Sequence, residues 1–232
     1  MINQLLEIRI KYEKKQMLIY SALIFLEEAF SEAKNNNHQE LVLALKEFRD
    51  CMPDSLKTLH TDEVPDHVRY FFNLFLIELV SDMELFLIEI ITLIISKHPQ
   101  KIGKQKVLLS DVVNLGNKRK IIKKACYDYL NSLSYKKPQE YQKEFFSLLS
   151  ANDDFLKDEW KYFIEMKARR DIGVHNDWKI NDIYKGKVLE IGIKPDETIS
   201  YLYPDDKYII KCINIHKNII NTVCDHVEEK FT

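Results

Sequence analysis

Turn-forming residues are scarce in this chain, with 5 Gly and 6 Pro in 232 residues. So few breaks leave little room for the closely spaced turns of an all-β domain and point instead to long helices. Metal-ligand spacing is also missing: Cys51, Cys126, Cys212 and Cys224 form no Cys-x-x-Cys pair and have no His at zinc-finger distance, so neither a structural zinc nor a disulfide framework is expected. The start Met1-Ile2-Asn3-Gln4 lacks a basic segment followed by an apolar stretch and a cleavage site, which makes the cytoplasm, where thiols stay reduced, the default compartment. There is no Gly-rich phosphate loop and no internal repeat. No long apolar run is free of charge either. Phe71 to Ile95 comes nearest, yet it carries Asn73, Glu78, Asp82, Glu84 and Glu89. Each central carboxylate costs about 2.5–3.5 kcal/mol on insertion scales, so the stretch reads as a core helix of a soluble protein with no membrane partner.

What the chain does contain is apolar residues at helical spacing. With 46% hydrophobic and 30% charged residues, it can bury a sizeable core and is not a disordered polymer. The fold class is mostly α. Residues 2 to 34 read as one helix and Gln39 to Cys51 as a shorter one, with a turn at Met52-Pro53-Asp54-Ser55. Residues 1–52 would then be an N-terminal helical hairpin extension, the segment Ser55 to Pro65 a linker, and residues 65–232 the main helical bundle.

The helix from Asp66 to Lys97 is central by length and hydrophobicity. Glu78, Asp82 and Glu89 project within about 40° of one another and read as a solvent stripe, whereas Asn73 and Glu84 project roughly 120–180° away. Glu84 therefore needs a partner inside the apolar surround. Farther on, the segment from Lys101 to Lys143 holds eleven Lys or Arg against three carboxylates, +8 in a chain of −2, which leaves −10 for the remainder. Lys118, Arg119, Lys120, Lys123 and Lys124 fall in one helical pattern and form a candidate RNA-binding face that would hold phosphates without reading sequence.

A further helix is expected from Asn152, an N-cap followed by Asp153 and Asp154. Its apolar stripe, Leu156, Trp160, Phe163 and Ile164, continues at 100° per residue to Lys167 and Asp171, with Arg170 on its flank and Arg169 pointing away. The stripe thus turns polar where the chain reads Arg169-Arg170-Asp171-Ile172-Gly173-Val174-His175-Asn176. Gly173 would let the backbone turn just before His175. A permanent cation near a side chain that exchanges protons at neutral pH is the minimum equipment for cutting a phosphodiester without a metal. The same residues would also complement the negative end of a helix, worth about 0.3–1 kcal/mol each. Val188 to Lys194 and Ile199 to Tyr203 read as a small β-hairpin around Pro195-Asp196-Glu197, and Asp205 to Lys230 as the closing helix.

Three features together resemble the HEPN superfamily, the higher eukaryote and prokaryote nucleotide-binding helical bundles. These are Arg170-Asp171-x-x-x-His175, the phrase Val174-His175-Asn176 with Ile180-Asn181 and Tyr184 after it, and Ser81-Asp82-Met83-Glu84-Leu85-Phe86-Leu87 with its inward glutamate. The likeness covers residues 65 to 231. It departs from the branch that places Tyr two residues beyond the His, since Asp177 stands there. The resemblance implies a metal-independent endoribonuclease that attacks RNA through its own 2′-hydroxyl, of the kind that serves prokaryotes as a defence or toxin effector. Arg170 and His175 would be catalytic, with Asp171, Glu84 and Asn176 in support and with neither metal nor cofactor. The expected partners are RNA, a second copy in a homodimer, and a cognate antitoxin or other defence-system protein. A non-catalytic module that binds RNA or a protein through the same cleft is the alternative, and a purely structural adaptor the third reading.

Overall fold

The computed structural model describes residues 1–35, 66–103, 105–134, 136 and 138–231. The expected helix at Gln39–Cys51, the turn after it and the linker to Pro65 lie outside the described residues. Eight α-helices make up the fold among those described: α1 Ile2–Asn35, α2 Asp66–Lys97, α3 Leu109–Leu115, α4 Lys118–Ser134, α5 Pro138–Leu149, α6 Lys157–Asn176, α7 Asp182–Glu190 and α8 Asp206–Phe231, with a 3-10 turn at Pro99–Ile102. The chain is mostly α, as its patterning requires. No described helix is long and apolar enough to cross a membrane.

The bundle is organised around α2. Leu76, Leu79, Val80, Met83, Phe86, Leu87, Ile90, Ile91, Ile94 and Ile95 are buried along its length, because α1, α4, α5, α6 and α8 all pack against it. A helix that is apolar over most of its circumference is stable in water only when it is enclosed in this way. From α1, Leu5, Tyr12, Ile19 and Leu23 join the same core. Arg9 ties that helix to α8, its guanidinium donating to Asp225 at 2.8 Å and to Asn221 at 2.9 Å.

α1 also corrects the expected solvent stripe. Glu78 is exposed, but Asp82 is buried and pairs with Lys15, and Glu89 accepts from Lys11 and from the Tyr12 hydroxyl. Helical spacing places these carboxylates on one face, as read; the lysines that answer them come from a helix more than sixty residues earlier. Burial, reinforced by Glu89, pushes the Tyr12 phenol up, so it stays a donor.

Two further boundaries differ from expectation. α6 begins at Lys157 and not at Asn152, because Leu156 takes a left-handed φ of 55° and buries its side chain. Trp160 then anchors the first turns of α6, with Phe145, Phe146 and Phe163 within 5.4–5.6 Å between ring centroids. The expected hairpin does not form among the described residues. Val188, fully buried against Ala168, Ile172 and Tyr184, belongs to the end of α7. The segment near Tyr201 pairs with the residues just after α6, through a single bridge to Lys179 flanked by Ile180 N–H to Ser200 O and Leu202 N–H to Trp178 O, each 2.9 Å. A short run of Val, Leu and Ile fits a buried helix as well as a strand, and here the burial of Val188 decides for the helix.

The end of α6 explains Gly173. The helix continues through this residue to Asn176, and the backbone turns at Asp177 and Trp178, both left-handed at φ 48° and 62°. Trp178 N–H returns to Ile172 O at 3.0 Å, which closes the helix with a six-residue reverse bond. The Trp178 ring folds back so that a Cβ on residue 173 would lie 2.5 Å from it. Gly173 is thus a seat for the indole and not a hinge before His175. We predict that Gly173→Ala lowers stability by about 1–3 kcal/mol despite the better helix propensity of alanine. The loss should shrink in a Trp178→Leu background, as read by denaturant unfolding.

A second prediction concerns pH. His216, on α8, is 1% exposed and lines a small void with Tyr12, Gln16, Leu79, Asp82, Met83 and Ile220; burial lowers its pKa from 6.5 to about 3. Between those values the unfolded chain binds a proton that the folded chain refuses, so stability falls as pH falls, by up to about 1.4 kcal/mol per pH unit from this group. Urea midpoints measured from pH 7 to 4 should decline less steeply in His216→Leu than in the unaltered protein. Parallel slopes would show that His216 titrates normally.

Candidate functional site

The last three turns of α6 carry two polar systems on different sides of the helix. The inner one centres on Glu165, only 6% exposed. Its Oε1 accepts from Arg169 Nε at 2.9 Å and from the Tyr184 hydroxyl at 3.1 Å, and its Oε2 from the Tyr208 hydroxyl at 2.6 Å. The Arg169 guanidinium also lies 3.7 Å from the centre of the Tyr208 ring. Burial and the nearby Glu165 charge push both phenols up, so both remain protonated donors. Burial, followed by the same charge, pushes the Cys212 thiol up to about 12, which keeps it inert as a nucleophile. Arg169 therefore does not point away from the core as its helical projection suggests. It is consumed in a buried network that joins α6, α7 and α8.

The outer system is an ionic ladder. Lys167 Nζ reaches Glu84 Oε1 at 2.5 Å, and Arg170 Nη2 donates to Glu84 Oε2 at 3.2 Å. Arg170 Nε sits 3.2 Å from Asp171 Oδ1, an ion pair without the angle of a hydrogen bond. Lys187, from α7, donates to Asp171 Oδ2 at 2.9 Å. Glu84 does have partners, Lys167 and Arg170, but its side chain is 30% exposed and not enclosed in an apolar surround as expected. The ladder's side chains are 20–39% exposed, so solvent partly screens each pair and the ladder positions charges more than it stabilises the fold.

His175 stands in the final turn of α6, exposed, on the rim of a pocket of about 240 Å³ whose polar lining is His175, Asp171, Asn181, Tyr184 and Lys187. Arg170 is five residues from His175, about 140° around the helix, and lies outside that lining. Asp171 connects the two places, touching Arg170 with one oxygen and Lys187 with the other. Asn176 is not in the pocket; its Nδ2 donates to Lys179 O at 2.7 Å and closes the turn after α6. Asn181 caps α7 by accepting from Tyr184 N–H at 2.9 Å. Sequence reasoning missed Lys187 and the Glu165 cluster. The Glu165–Arg169 spacing of four was a usable signal for the cluster; nothing local marked Lys187.

The basic face on α4 is present in part. Lys118, Arg119, Lys120 and Lys123 are exposed, while Lys124 is held by Asp128 one turn later at 2.5 Å. None of the five lines the His175 pocket. Among the described residues, no three His, Cys, Asp or Glu side chains converge as metal ligands would, and Cys126, Cys212 and Cys224 are free thiols.

Comparison with protein-family models, with curated proteins and with solved structures gives no match to this chain.

Proposed function

We propose that this protein is a metal-independent endoribonuclease of the HEPN type. The observation that supports the reading most is the placement of an exposed His175 at a preformed pocket that also holds Asp171 and Lys187, with Arg170 fixed beside it through Asp171. In the reaction, the ribose 2′-hydroxyl gives up its proton and attacks the adjacent phosphorus. The bond to the 5′-oxygen breaks as that oxygen takes a proton, which leaves a 2′,3′-cyclic phosphate and a 5′-hydroxyl. His175 serves as the base or the acid, and Arg170 offsets the charge that builds on the phosphate oxygens.

One imidazole does not perform both proton transfers at once. A two-fold homodimer with the symmetry axis near His175 would bring a second His175 and a second Arg170 into a shared cleft. Val174 and Ile183, 51% and 69% exposed beside the pocket, give that contact an apolar component. The four exposed basic residues of α4 would hold RNA by its phosphates, so affinity should fall steeply with salt. The biological role that fits this chemistry is a cytoplasmic defence or toxin effector restrained by an antitoxin or another defence-system protein.

The second reading is a non-catalytic module that binds RNA or a protein. It is favoured by one observation: Arg170 is engaged by Glu84 and Asp171 and does not open into the pocket.

Incubation of the purified protein with RNA in EDTA separates the two. We expect His175→Ala to lose cleavage by roughly 10²–10⁴-fold with an unchanged unfolding midpoint, since the side chain is exposed. Cleavage retained by that variant rejects His175 as the catalytic group and with it the HEPN-type mechanism; no cleavage by the unaltered protein leaves the binding module. The neighbouring arginines should divide: Arg170→Ala loses activity while staying folded, whereas Arg169→Ala leaves the Glu165 carboxylate buried beside fewer donors and costs about 3–5 kcal/mol of stability. Mixing His175→Ala with Arg170→Ala protomers should restore part of the activity if the cleft is composite, and a monomer in solution excludes it.

A further inference from the structure

We propose that Lys187 is the residue that captures a phosphate group in the His175 pocket. The identity of that phosphate as an RNA phosphodiester rests on the ribonuclease reading; the capture itself rests on geometry. The two side chains that the sequence motif pairs, Arg170 and His175, leave α6 about 140° apart, and Arg170 lies outside the pocket lining. The cation that shares the pocket with His175 comes from the next helix. Lys187 lines it, is about one-third exposed, and is held at 2.9 Å by a single carboxylate oxygen, Asp171 Oδ2.

The charge count favours an anion at this end of the ladder. Lys167, Arg170 and Lys187 stand against Glu84 and Asp171, three cations against two carboxylates, so one positive charge is in surplus. Asp171 offsets Lys187 only in part, because the same carboxylate is shared with Arg170. An ammonium has three donors, and Asp171 takes one; the others are available to phosphate oxygens, for which lysine acts as a mobile point charge. The pocket is smaller than the roughly 300–1,000 Å³ that encloses a whole small-molecule ligand, a size suited to one phosphodiester unit of a longer chain. Ile172, which is buried, and Ala168 give the pocket an apolar floor, and a less polar surround strengthens the attraction.

The test follows the ring signals of His175 by NMR while inorganic phosphate is added to the 232-residue protein. In the unaltered protein these signals should move and saturate. In Lys187→Met, checked for folding by circular dichroism, saturation should need at least five-fold more phosphate, and Lys187→Arg should recover most of the affinity. With RNA in EDTA, Lys187→Met should cleave at least ten-fold more slowly, and the slope of log affinity against log salt should shrink by about 0.7, the share of one single-strand phosphate contact. Equal phosphate titrations in the unaltered protein and Lys187→Met, or no response in either, overturn the proposal. If phosphate binds through Lys187 but RNA stays intact, the anion site stands and the ribonuclease reading falls. If RNA is cut and Lys187→Met cuts it equally well while titrating normally, the reverse holds.

Discussion

The geometry of the candidate site depends on one buried carboxylate. Glu165 lies inside the bundle, where an isolated charge is not tolerated, and it is satisfied by donors from three helices: Arg169 on its own, Tyr184 on α7 and Tyr208 on α8. Those bonds fix the rotation of α6 and hold α7 against it. Lys187 is one turn beyond Tyr184 on α7, and His175 is ten residues beyond Glu165 on α6, so the pocket between them inherits its shape from a network it does not contain. A buried network of this kind contributes little net stability when complete and costs several kcal/mol when broken. Its main consequence here is positional.

This explains why adjacent arginines have different fates. Arg169 and Arg170 differ by 100° around the helix. That angle takes Arg169 to the α8 side, where Tyr208 stacks on it and Glu165 neutralises it, and takes Arg170 to the α2 side, where Glu84 waits. The inner arginine is committed to structure by its burial. The outer one is nearly as little exposed, but its partners Glu84 and Asp171 are about 30% exposed where Glu165 is 8%, so solvent screens its pairs more and a phosphate can compete for them.

The parts of this arrangement that were legible in the sequence are those set by periodicity along one helix. The central role of Asp66–Lys97, the apolar stripe through Trp160 and Phe163, and the need of Glu84 for a partner all follow from which residues share a face. What was not legible depends on chains meeting from afar. Asp82 reads as solvent-facing until α1 supplies Lys15, and Arg169 reads as outward until α8 supplies Tyr208. Gly173 reads as a hinge because a glycine near a helix end often is one, whereas an indole five residues later requires the missing side chain. Lys187 could not be recognised, since one of two lysines in a short segment without a clear apolar face has no local mark, and only the packing of α7 on α6 brings it to His175.

The spacing between Arg170 and His175 therefore carries a different meaning in three dimensions than in one. Five residues on a straight helix cannot aim both side chains at one phosphate from the same flank, so the arginine must reach the reaction from a second protomer or act through an intermediary. Asp171 is the intermediary the ladder provides. It faces Arg170 with one oxygen and Lys187 with the other, and any anion that draws Lys187 toward the pocket weakens one half of that bridge while leaving the other half in place. The carboxylate then stays anchored to α6 by Arg170 and the lysine is free to follow its ligand, which is the physical reason a ladder of weak, solvent-accessible pairs suits a binding site better than a buried and rigid one.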